Sequence, residues 1–176
     1  MKKNKSNYQS DDAEIKAYRE MVEKHYQRKE KEIIEFDNSS IAHAEVVTEY
    51  LFKYAIENKT DIKIFTGRLK ANFYDKFLEQ ARTLLRTQKI SIICEKQCEE
   101  GRFQALVGDD DNGEILNINA SQDIGVSHFV LAGESAYRDE KSDALKTADA
   151  SFNGHMRGSF LSVLFDEIKN KISLLS

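Results

Sequence analysis

Only two cysteines, Cys94 and Cys98, occur in the 176 residues. Two thiols in a chain of this length give no disulfide framework, and a reducing compartment is the simplest reading. Proline is absent altogether, and no physical reading attaches to that. No stretch approaches the roughly 18 apolar residues that a membrane span requires, so a membrane role is not expected. The first residues, Met1 to Ser6, are basic but are followed by polar ones. A secretion signal needs an apolar run there, so the expected location is cytoplasmic. Positive charge is not in excess either, since the formal net charge is −4. A broad, non-specific nucleic-acid binder usually presents a basic surface, which this balance argues against. A local basic groove stays open.

Several chemistries are missing. No Gly-x-Ser-x-Gly elbow marks a serine hydrolase. The acidic run Asp109-Asp110-Asp111-Asn112-Gly113 fails the spacing of a calcium loop, because its glycine falls one place early and Ala120 stands where the closing glutamate belongs. A solvated turn is the simpler reading, since Asp, Asn and Gly favour turns for backbone reasons. The histidines His25, His43, His128 and His155 are scattered, so with two cysteines they assemble no structural zinc set. No metal and no cofactor is expected. A Gly-rich phosphate loop is also absent. Gly67 and Arg68, between a strand and a helix, are a weak substitute: free N–H groups there, with Arg68 beside them, suit an anion, and a plain tight turn suits them equally.

What is present reads as one domain. Apolar residues make up 40% and charged residues 32%, a soluble profile, and the length suffices to bury a core without staples. Residues 1–10 are polar and expected to fray. A helix is expected over 11–36, with Ser10, Asp11 and Asp12 as cap candidates and Ile15, Tyr18, Val22 and Tyr26 at helical spacing. A second helix follows the break at 37–40, with Ala44, Val47, Leu51, Tyr54 and Ala55 on one stripe and Asn58 suited to its C-cap. Ile62 to Thr66 alternates as a strand. A third helix begins near Asn72 with Phe73, Phe77, Ala81 and Leu84 inward, and Ile90 to Cys94 is the next strand. Residues 61–94 thus form a strand–helix–strand unit, most simply a right-handed parallel crossover. Residues 103–107 suit a helical turn or a short strand. Strands are expected over 114–119, with Ala120 as a further apolar position, and over 126–131. Residues 133–143 read as a polar turn, with a hairpin return at 135–138, and a last helix covers about 155–173.

The most informative stretch is 128–153. His128 sits on an otherwise apolar strand, His128-Phe129-Val130-Leu131-Ala132. A polar loop with Arg138 follows, then Ser151-Phe152-Asn153 just before the last helix. That order, together with Ile64-Phe65-Thr66-Gly67 upstream, resembles the phospholipase D superfamily over roughly residues 39–172. The resemblance implies concrete chemistry: a histidine attacks phosphorus, a second one from another half or subunit protonates the leaving oxygen, and a lysine and an asparagine hold the phosphate oxygens. His128, Ser151 and Asn153 match that pattern. Val130 stands where the family has its lysine, and Ser135 where it has an aspartate. Arg138 is the candidate replacement cation. A chain of this size would hold one half-site, so catalysis would need a symmetric dimer. His128 also reads as a histidine hydrogen-bonded at a strand end. His155 and Arg157 read as helix-entry residues or as an extension of an anion pocket.

The fold expected is α/β, a mixed β-sheet flanked by helices, phospholipase D-like, with an N-terminal helical extension over 1–37 and the α/β domain over 38–176. The function expected is a non-catalytic binding or assembly subunit, a homodimer or part of a larger protein assembly. Its ligand would be nucleic acid or another phosphate-bearing molecule, in a bacterial nucleic-acid-processing or phage-defence setting by family analogy. The alternatives are a divergent homodimeric phosphodiesterase or nuclease using His128, and a structural or regulatory protein acting through its first helix. The site residues expected are His128 as the catalytic position, with Ser151, Asn153, Arg138 and Arg68 around a phosphate.

Overall fold

The computed structural model describes residues 12–118, 125–142 and 147–175. The segment 1–10 expected to fray, the cap candidates Ser10 and Asp11, the end of the strand expected over 114–119 with Ala120, and Asp143 lie outside the described residues.

Helix α1 (Asp12–Gln27) opens the described chain, and strand β1 (Glu35–Asn38) follows it. Then come α2 (Ile41–Asn58), β2 (Ile62–Thr66), α3 (Ala71–Tyr74), a 3₁₀ turn (Asp75–Phe77), α4 (Leu78–Leu85) and β3 (Ile90–Cys94). The second half holds α5 (Arg102–Gly108), β4 (Gly113–Asn117), β5 (Phe129–Ala132), β6 (Ala136–Ser142), β7 (Thr147–Ser151) and α6 (His155–Leu175). The strands form one seven-stranded sheet in the order β1-β7-β6-β5-β2-β3-β4. β2, β3 and β4 run parallel, whereas β5, β6, β7 and β1 continue the sheet antiparallel from the other side of β2. The expected mixed sheet flanked by helices is therefore present, and the strand–helix–strand unit over 61–94 is its parallel half.

Alternation along the strands sorts side chains onto two faces. Ile62, Ile64, Ile90 and Ile92 face α1, α2, α4 and α5, where Val22, Val47, Leu51, Phe52 and Phe103 complete the larger core. Phe65, Ile93, Phe129, Leu131 and Tyr137 face α6, which covers them with Leu161 and Phe165. Lys63 on that face bonds Asp166 at 2.8 Å and ties α6 to the sheet.

Local chemistry sets the element ends. Ser40 caps α2 by accepting the His43 N–H at 3.1 Å. The left-handed residue that ends α2 is Lys59, not Asn58, at φ 52°. Asp75, in the turn that interrupts the third helix, accepts the Phe103 N–H at 2.8 Å and so anchors the start of α5. Gly133, at φ 62°, makes the turn between β5 and β6.

Several expectations need correction. The first helix stops at Gln27, and residues 35–38 are a strand. The boundary drawn at 37/38 falls inside β1. Far from being an appendage, α1 buries Tyr18, Val22 and Tyr26 in the main core. The polar stretch after Gly133 is largely strand β6, and the Ser151 segment is strand β7. Cys94 and Cys98 are joined by a disulfide, where two free thiols were expected.

Candidate functional site

The parallel strands end at one edge of the sheet, and the antiparallel strands bring their own charged residues to it. β2 ends in Thr66-Gly67, β3 in Cys94-Glu95, β5 begins after His128, and β6 carries Arg138 and Glu140. β2 is where the sheet changes from parallel to antiparallel, and open α/β sheets favour polar sites at the strand ends beside such a switch.

His128 is held from both sides. Its Nδ1 lies 3.2 Å from Oε2 of Glu140, and its Nε2 lies 3.1 Å from Oε2 of Glu95. Gly67 admits the ring. A Cβ there would stand 3.0 Å from Cε1 and 3.2 Å from Nε2 of His128, so a side chain at 67 would displace the imidazole. Glu140 in turn accepts from both terminal nitrogens of Arg138, at 3.0 and 3.1 Å. The Arg138 Nε–H donates to Asn38 Oδ1 at 2.8 Å. The intervening strand β7 has only Ala148 and Ala150 on that face, both fully buried. The guanidinium therefore reaches across them from β6 to β1. The result is a polar chain, Glu95–His128–Glu140–Arg138–Asn38, in which Glu95, Arg138 and Asn38 are buried and His128 and Glu140 partly so.

Electrostatics follow from the geometry. The hydrogen bond to Glu140 raises the His128 pKa; burial pulls against it, and the bond to Glu95 adds to the rise. Burial pushes the Glu140 carboxyl up, but the His128 hydrogen bond and the Arg138 charge outweigh it and leave that pKa lowered. The favoured state is an imidazolium donating from both nitrogens to two carboxylates. Such a ring has no free lone pair with which to attack phosphorus. Tyr74 is buried beside this network; burial raises its pKa, and Arg138 partly offsets that.

The other residues expected at the site are dispersed. Arg138 joins His128, but as a buried partner of Glu140. Arg68 lies at the same edge and is exposed; its backbone carbonyl accepts from Thr66 Oγ1 at 3.2 Å. Ser151 and Asn153 do not meet His128. β5 and β7 are both antiparallel to β6, so they run parallel to each other, and the start of one is distant from the end of the other. Ser151 pairs with Tyr137, in the same row as Leu131, three residues beyond His128 and two strands across. That is roughly 10 Å in each direction. It also shares the α6-side face with Tyr137, opposite to the face that His128 shares with Arg138 and Glu140. Ser151 Oγ accepts the Asn153 N–H at 3.2 Å. Asn153 lines an open hollow of about 310 Å³ with Lys29, Tyr54, Asn58 and His155. Arg157 is committed to Asp139, with its Nε at 2.7 Å, on the α6 side.

Glu95, Glu140, Asn38 and the steric role of Gly67 are not apparent in the sequence. The usable signal was positional: a carboxylate immediately after an apolar strand, and another in the strand beside His128. Ser135, standing where the resembled family has aspartate, is buried and shares a hydrogen bond of 2.9 Å with the Tyr54 hydroxyl.

No family model matches the chain, and neither does any curated protein. A solved structure of TrmBL2, an archaeal chromatin protein described as showing a novel mode of DNA binding, is similar in fold. The TM-score is 0.52 and the identity 13%, and the match covers 89% of this chain. The chain spans 60% of the length of that protein's chain.

Proposed function

We propose that this chain is a non-catalytic, phospholipase D-like binding and assembly module, acting as a homodimer or within a larger protein assembly. The observation that carries the reading is the double clamp on His128. An imidazolium locked between Glu95 and Glu140 is neither a nucleophile nor a general base. Val130 in place of a lysine supports the same conclusion, as does the burial of Arg138, whose Nε–H bonds Asn38 and whose terminal nitrogens bond Glu140. The ligand class proposed is nucleic acid or another phosphate-bearing molecule. Arg68 is the exposed cation at the edge, and the fold neighbour's DNA binding is compatible with this class. A nucleic-acid-processing or phage-defence setting belongs to the same proposal. Self-association is supported by Met156, Phe160 and Val163, which form an exposed apolar row along α6. Glu167 and Lys171, exposed and one turn apart beyond that row, present opposite charges in reverse order to an antiparallel second copy.

The test is hydrolysis of single-stranded DNA, RNA and bis-p-nitrophenyl phosphate by the full chain, with His128→Ala as the control. The expected result is the same background rate for both. Turnover that disappears in His128→Ala would replace this reading with the divergent phosphodiesterase. Light scattering addresses assembly, where Val163→Glu is expected to lower the mass in solution. A structural role through α1 is less favoured, because the apolar face of that helix is already spent on the core.

A further inference from the structure

We infer that the Cys94–Cys98 disulfide is a redox latch that holds Glu95 against His128. The bridge closes a ring whose inner members are Glu95, Lys96 and Gln97. Lys96 and Gln97 point to solvent, and Glu95 is buried. The backbone of Glu95 and Lys96 is pinned to β2, with their N–H groups donating to Thr66 and Gly67 carbonyls at 3.0 Å. Beyond them, the turn is held by the disulfide, by a Cys98 N–H donated to Asn117 Oδ1 at 3.3 Å, by the packing of Cys98 against the main core and, just after it, by Glu99 accepting the Ala71 N–H at 3.3 Å. The bridge therefore ties the far end of the turn to the strand end that carries Glu95.

The carboxylate itself supplies the driving force for opening. Its Oε2 bonds His128, but its Oε1 is buried with no hydrogen-bond partner among the described residues. A buried oxygen of that kind is stabilised by any movement that lets water reach it. The covalent ring opposes such movement, and opening the ring removes that opposition.

Access to the two sulfurs is unequal. Cys94 is fully buried, whereas Cys98 is half-exposed. A dithiol reductant attacks Cys98 Sγ as a thiolate. The S–S bond breaks, and its electron pair leaves on Cys94 Sγ, which takes up a proton. The second thiolate of the reductant then displaces Cys98 Sγ, which is protonated, and the reductant leaves as its own disulfide. Two electrons and two protons pass from the dithiol to the protein. Oxidation closes the latch, and reduction opens it.

The groups facing His128 are Glu95 from the end of β3, Glu140 from β6 with Arg138 behind it, Gly67 from the end of β2, and the Phe65 ring. Of these, the Glu95 carboxylate lies inside the ring that the sulfur bridge closes, and Gly67 is joined to that ring through the Lys96 N–H. The latch shares His128 with the proposed function and rests on that residue being clamped. Its readout is a titration midpoint and not turnover, so the two ideas fail separately.

The experiment follows the His128 imidazole by NMR across pH in the full chain, after oxidation with diamide and after reduction with dithiothreitol. Alkylation and mass analysis report the thiols in each state. Reduction is expected to lower the His128 midpoint, and reoxidation to restore it. Glu95→Gln is expected to give one lower midpoint in both redox states, and Cys98→Ser to match the reduced protein. An unchanged midpoint with both thiols demonstrably freed overturns the latch. So does a chain whose thiols stay free after diamide. Should Cys98→Ser not fold, the wild-type redox pair alone decides.

Discussion

The two ends of the sheet hold polar residues of similar kinds and treat them in opposite ways. At the His128 end, two carboxylates, an imidazole and a guanidinium are withdrawn from most solvent and bonded to one another in series, while Glu95 Oε1 has no partner among the described residues. At the Asn153 end, Lys29, Asn58, Asn153 and His155 surround an open hollow with few bonds among them. Motif reading places His128 and Asn153 in one anion pocket. Charges that already satisfy each other have little left to offer a ligand, and the desolvation cost of burying them is met inside the network. Whatever recognition this edge performs is therefore expected to fall to exposed groups such as Arg68.

The largest effect expected is from Arg138→Met. It strands the buried Glu140 charge and removes the bond to Asn38, so chemical denaturation should show a loss of about 3–5 kcal/mol. A loss below 1 kcal/mol, on the scale of an exposed pair, would erase the distinction between the two ends. Next comes Gly67→Ala, whose new methyl collides with the imidazole. About 1–3 kcal/mol of destabilisation is expected, by analogy with overpacked cores. The His128 NMR signals should move with it, and unmoved signals would contradict the close contact.

A pH series sharpens the comparison further. His128 has a raised pKa in the fold, so its contribution is full below its ordinary value of about 6.5 and is lost as pH climbs through the folded value. Glu140 has a lowered one, so its contribution is full above about 4.3 and is lost as pH falls through the folded value. Stability from this network is therefore expected to peak between those ordinary values. Urea midpoints for His128→Gln should lose the decline on the alkaline side. The smallest effect is expected for Asn153→Ala, within about 0.5 kcal/mol and with no change in the His128 resonances. A shift of those resonances would show that the two ends communicate.

The parallel half of the sheet was legible because Ile62 to Thr66 and Ile90 to Cys94 are apolar, β-branched runs separated by an amphipathic helix. The antiparallel half was not. β1, β6 and β7 read Glu-Phe-Asp-Asn, Ala-Tyr-Arg-Asp-Glu-Lys-Ser and Thr-Ala-Asp-Ala-Ser. Their polar residues satisfy one another across strands, which no local periodicity reports. His128 stood out as a polar residue at the head of an apolar strand. Its fate depended on Glu95 and Glu140, brought together only by pairing of β3 with β2, β2 with β5 and β5 with β6. Ser151 and Asn153 were legible as a motif, and the direction of β7 carries them away from His128. The sulfur bridge escaped notice because spacing alone does not show that the turn after β3 curls back on itself.

One consequence of the pairing of β1 with β7 concerns how the chain comes together. Phe36 finds its strand partner, Ala150, more than a hundred residues later. During synthesis β1 emerges early and waits, without its ladder, until nearly the whole domain has been made. Contacts of such long sequence separation slow folding and leave a bare strand edge exposed meanwhile. The last stitch of this sheet thus secures its first strand, so a ribosome stalled before β7 would release a nascent chain prone to stick to its neighbours.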